Sequence, residues 1–139
     1  MPTDPSQNPE WQQVEAAILG SAVIYKSASL VIYSLENGAA AEFWSDGTAW
    51  CIRDPSWYRN YLERGQLYLF RVANTGRRYL LSVGACEFRN ARNRTVSLNS
   101  FIERFPSAEI PIRQLLGGYA RAQIHFNVIN SWPAGALRP

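Results

Sequence analysis

Five arginines crowd around two turn-like segments. Arg77 and Arg78 follow Asn74-Thr75-Gly76, while Arg89, Arg92 and Arg94 surround and interrupt Asn90-Ala91-Arg92-Asn93. A guanidinium group is planar, permanently charged and rich in donors. It suits bidentate contact with phosphate or carboxylate and also stacks on rings. If both turns lie at one end of a sheet, the five groups form an anion-binding rim. Tyr68, Tyr79 and Phe88 on the adjoining strands would then offer a stacking surface, as in sheet-based binders of single strands. The plainer alternative is that these aromatics are core and the loop arginines are merely solvated.

The charge layout has the same two sides. The chain has a net charge of +3, but residues 1–46 carry −5, residues 47–94 carry +6 and the remainder +2. Such asymmetry attracts polyanions or acidic proteins. It would also arise if the acidic and basic parts faced each other in the fold. Thirteen of the fourteen basic residues are arginine, which fits bidentate recognition and equally fits a GC-rich coding sequence.

Other chemistry is thinly supported. No nucleotide loop, metal-ligand pattern or catalytic triad is legible, so no cofactor and no metal are expected. His125 is the one histidine, on the polar side of an alternating segment, where an ordinary sheet residue is the simpler reading. Cys51 and Cys86 stand in apolar surroundings and read as buried thiols of a reducing, cytoplasmic compartment. Residues 1–5 show no basic, apolar leader. The match of Asn93-Arg94-Thr95 to a glycosylation acceptor is accordingly taken as chance. Glu42, Asp46, Asp54, Glu87 and Glu103 are the carboxylates near the aromatic block. An acid–base site would need two of them close together. A transferase or hydrolase beside Trp50 and Tyr61, using Glu42, Asp54 or Glu103 on a phosphate-bearing substrate, is therefore the alternative function. An assembly subunit with an exposed aromatic patch is a third, given five Trp and seven Tyr.

The elements that must position these groups can be outlined. With 139 residues and 47% hydrophobic content, one domain with a real core is expected, and no apolar run is long enough to span a membrane. Residues 1–8 and 131–139 read as loose tails around a single domain over 9–130. Asn8 and Pro9 open a helix ending at Gly20. Ala22–Lys26 and Ser29–Leu35 form a hairpin, Ala39–Trp44 a short helical stretch, and Thr48–Ile52 a strand. Asp54 caps a helix begun by Pro55 and ended by Gly65. Leu67–Ala73 and Arg78–Val83 pair, then Cys86–Arg89 and Thr95–Leu98. Short helices follow over Asn99–Phe105, ended by Pro106, and over Pro111–Leu116. Alternation from Tyr119 to Val128 predicts a last strand. The fold class is α+β, a mainly antiparallel sheet with short helices packed on it.

Residues 29–106 resemble a family of largely uncharacterised phage and mobile-element proteins. The matching pieces are Gly47-Thr48-Ala49-Trp50-Cys51, Tyr61-Leu62-Glu63-Arg64-Gly65-Gln66-Leu67-Tyr68, Arg78-Tyr79, Glu87-Phe88 and Phe101–Pro106. Polar positions of that pattern are replaced by Ala49, Ile52, Leu80-Leu81-Ser82, Asn90 and Asn93. The resemblance, with those replacements, implies a binding derivative rather than an active enzyme. It would bind nucleic acid or a nucleic-acid-handling protein complex through the arginine face, with inhibition of host defence as a natural variant.

Overall fold

The inner β-strands fall where branched and aromatic residues alternate between two buried faces. The computed structural model describes residues 17–117. The strands are β1 (Ser21–Lys26), β2 (Leu30–Leu35), β3 (Leu67–Val72), β4 (Arg78–Ser82) and β5 (Glu87–Asn90). They form one antiparallel sheet in the order β1-β2-β3-β4-β5. Two helices, α1 (Gly38–Ser45) and α2 (Pro55–Arg64), are inserted between β2 and β3, and two more follow β5, α3 (Leu98–Arg104) and α4 (Glu109–Gly117). The fold is therefore α+β.

Both sheet faces are covered, and each has its own core. Leu30 and Ile32 of β2, Phe70 and Val72 of β3, Tyr79 and Leu81 of β4 and Phe88 of β5 point one way, where Phe101, Phe105, Ile112 and Leu116 of the last helices meet them. Phe70, Tyr79, Phe88 and Phe101 form a ring cluster with centroids 5.0–5.7 Å apart. Each such pair adds about 0.5–1.5 kcal/mol beyond burial. On the opposite face Leu35, Leu67, Leu69 and Leu80 pack with Ala40 and Ala41 of α1, Tyr58 of α2, and Trp50 and Ile52 between the helices. The small alanines let α1 lie close to the strands.

Local chemistry sets the helix ends. The Asn37 side chain accepts from Ala40 N at 2.8 Å and starts α1. Asp54 accepts from Ser56 N at 2.8 Å ahead of Pro55 and starts α2. These bonds satisfy donors that a helix leaves unpaired at its first turn. The bond to the Ser56 hydroxyl also holds the Asp54 carboxyl below its ordinary pKa. Tyr58 Oη donates to Leu35 O at 3.1 Å and ties α2 to the sheet.

The expected strand over Thr48–Ile52 does not form. Trp50 and Ile52 are both buried, which imitates strand alternation. Instead Cys51–Arg53 makes a 3₁₀ turn, closed by Asp54 N donating to Cys51 O at 3.0 Å, because Pro55 and its cap fix the start of α2 there. The same turn leaves Cys51 exposed rather than buried, while Cys86 is half-buried against the first core. The expected strand over Thr95–Leu98 shrinks to one bridge, Thr95 with Arg89. Ser97 accepts from Ser100 N at 3.2 Å and draws Leu98 into α3. Pro106 opens a 3₁₀ turn, Pro106–Ala108, that leads straight into α4. The first helix up to residue 16, the strand over 119–128 and the tails 1–8 and 131–139 lie outside the described residues.

Candidate functional site

An antiparallel sheet sends alternate connections to opposite ends. The β3–β4 turn and the turn after β5 therefore share one end, and the α1–α2 connection joins them there. The β3–β4 hairpin closes with Val72 N donating to Arg77 O at 2.9 Å and Gly76 N to Val72 O at 2.8 Å. Gly76 has φ +71°, a left-handed conformation that glycine adopts without strain. After β5, Asn90 Oδ1 accepts from Arg92 N at 3.0 Å and Arg94 N at 3.1 Å. Asn93 sits left-handed at φ +63°, which asparagine tolerates better than most residues. The α1–α2 connection is pinned to this turn: Ala49 N donates to Ala91 O at 2.8 Å, and the buried Trp50 Nε1 to Asn90 O at 2.8 Å.

This construction brings most of the expected arginines together. Arg77, Arg78, Arg92 and Arg94 line one cleft of about 390 Å³ with Tyr79, Asn90 and Ala91. Among the described residues none of these four arginines has a carboxylate within ion-pair distance. Arg89 stands apart. Its Nε lies 3.3 Å from Glu87 Oε2, and its Nη1 donates to Asn93 O at 2.9 Å, so it braces the turn. The aromatics are mostly core. Tyr79 is buried and stacks on Phe88 at 5.7 Å while still lining the cleft, and half-buried Tyr68 packs into the first core.

A second cleft adjoins the first through Arg78, which lines both. It encloses about 650 Å³ beside α1, within the usual range of ligand pockets, and Glu42, Phe43, Trp44, Asp46, Arg53 and Arg71 also line it. Arg71 and Arg78 are directly opposed across β3 and β4. Like charges in that relation destabilise a sheet, and no carboxylate lies within ion-pair distance of either among the described residues. Arg78 Nη1 donates to Trp44 O. Trp44 stacks on Tyr33 at 5.1 Å and its Nε1 donates to Ser21 Oγ at 2.9 Å, while Phe43 is 42% exposed. Sequence reasoning passed over this cleft. The usable signal was Arg71 and Arg78 flanking one hairpin, but their pairing depends on the register in which that hairpin closes.

Among the described residues one ion pair joins the acidic first third to the basic middle, Asp46 with Arg53 at 3.9 Å, and both groups are largely exposed. The carboxylates proposed for catalysis are dispersed. Asp54 caps α2, Glu103 is exposed on α3 across the sheet, and Glu42 lines the α1 cleft. Glu87 Oε2 accepts from Tyr61 Oη at 2.9 Å. Burial first, then this bond, pushes the Tyr61 pKa up to about 12. Among the described residues no group of acidic, cysteine and histidine side chains is arranged to hold a metal, and no helix is long and apolar enough to cross a membrane.

No protein-family model matches the chain, and comparison with curated proteins and with solved structures finds no significant match.

Proposed function

We propose that this protein is a binding module that holds a nucleic-acid strand along the arginine-lined end of its sheet. One observation carries the reading: Arg77, Arg78, Arg92 and Arg94 converge on one cleft, with no carboxylate in ion-pair distance among the described residues. Solvated arginines scattered by composition would not share a groove built by two hydrogen-bonded turns. Phosphate oxygens match guanidinium donors, and four of these groups on one cleft offer repeated contacts to a phosphate backbone. Because Tyr79 is stacked in the core, the groove tracks backbone rather than bases, so recognition is tolerant of sequence.

The test is fluorescence anisotropy with a labelled single-stranded oligonucleotide, comparing the wild type with R92A/R94A. Arg89 is left in place because it braces the turn. Saturable binding that weakens with salt, and that is weaker and less salt-dependent in the variant, supports the reading. A folded wild type that ignores the oligonucleotide at low salt, or a variant that binds equally well, removes it. Retention of an acidic protein complex from host extract after nuclease treatment, with no oligonucleotide binding, would instead identify an acidic protein surface as the partner.

A further inference from the structure

We infer that the cleft beside α1 is a nucleotide pocket, taking a phosphate between Arg71 and Arg78 and a base against Phe43. The inference rests on the strand-binding reading for the polymer that would deliver such a unit, and adds to it the chemical identity of the unit. Arg71 and Arg78 oppose each other directly in the sheet, and both line the cleft. Arg78 Nη1 donates to Trp44 O, and an anion between the two guanidinium groups would offset the like-charge repulsion that this register favours. The hairpin turn is crowded at neither flank: even a side-chain carbon placed on Gly76 would stay 4.0 Å from Arg71 Nη2, an ordinary contact.

The second half of the pocket is an aromatic ledge. Phe43 meets Trp44 edge-on, with centroids 5.1 Å apart and an interplanar angle of 84°. Trp44 is in turn fixed by its stacking on Tyr33 and its bond to Ser21. The exposed Phe43 ring is thus presented by a rigid support, as a base-stacking residue should be. Glu42, also in the cleft, supplies acceptors for the exocyclic amino group of a base or for ribose hydroxyls. Arg78 belongs to both clefts, so a strand in the groove leads into this pocket. A free nucleoside monophosphate carries the same chemistry.

The probes are the four nucleoside 5′-monophosphates, their unphosphorylated nucleosides and a single-stranded oligonucleotide, titrated against wild type, R71Q and F43A. The monophosphates should bind at least about tenfold more tightly than the nucleosides, in keeping with a charge-assisted phosphate contact. R71Q should erase that ratio, and F43A should weaken monophosphate binding by about fivefold or more. Monophosphates that displace the oligonucleotide place the strand's own nucleotides in the pocket. Monophosphates that bind without displacing it make the pocket a site for free nucleotides. Either result supports the inference. Equal affinity for monophosphates and nucleosides, or an unchanged ratio in R71Q, overturns it while oligonucleotide binding stands. Monophosphate binding with no oligonucleotide binding upholds the pocket and overturns the strand-binding reading. Loss of both overturns both.

Discussion

Removal of Arg92 and Arg94 should halve the salt dependence of strand binding without unfolding the protein. Four guanidinium groups line the groove. For a single strand, log K falls with log salt by about 0.7 per phosphate neutralised, so four contacts give a slope of about −2.8. Affinity should then drop roughly fiftyfold between about 50 and about 200 mM KCl. With R92A/R94A the slope becomes about −1.4 and the drop roughly sevenfold. Both side chains are exposed, and the bonds that shape their turn use their backbone N–H groups, which alanine retains. Stability should therefore stay within about 0.5 kcal/mol of wild type. Anisotropy titrations across a KCl series, with urea melts of both proteins, make the comparison. A wild-type slope near zero, or equal slopes in the two proteins, would refute direct phosphate contact by these arginines.

Three further outcomes follow from particular contacts. N90A removes the acceptor for two exposed backbone N–H groups, so it should cost about 0.5–1.5 kcal/mol in urea unfolding and weaken oligonucleotide binding although every arginine remains. G84A should destabilise by about 1–3 kcal/mol or more: a side-chain carbon there would lie 1.8 Å from the Arg64 carbonyl oxygen, and a wild-type melting curve would contradict that contact. Tyr61 has a folded pKa raised to about 12 by burial and Glu87, so its stabilising contribution is complete below the unfolded value near 10 and is lost as pH rises through about 12. Y61F should flatten that part of the stability profile, and parallel wild-type and variant curves above pH 10 would argue against the shift.

Much of the fold was legible because periodicity and punctuation agree. Strand alternation in β2–β4, the Asp54-Pro55 start of α2 and the Gly65 stop all appear in the sequence as they do in space. Trp50 and Ile52 are buried two residues apart, which mimics a strand, but their environment is a turn held by long-range bonds to Asn90 and Ala91. The Arg77–Arg94 cluster was visible as composition near turns, since antiparallel topology sends those turns to one end. Its selection was not visible. Arg89 is drawn away by Glu87, and Tyr79 by Phe88. The α1 cleft was hidden because Phe43, Arg71 and Arg78 meet only through tertiary packing and hairpin register.

The most direct measurement is an NMR titration that follows arginine side-chain Nε–Hε signals as a single-stranded oligonucleotide of roughly twelve residues is added. The signals of Arg77, Arg78, Arg92 and Arg94 should shift saturably, while those of Arg59 and Arg64 on α2 and Arg113 on α4 stay in place. Unmoved groove signals, or equal shifts at every arginine, would contradict a strand held in this groove.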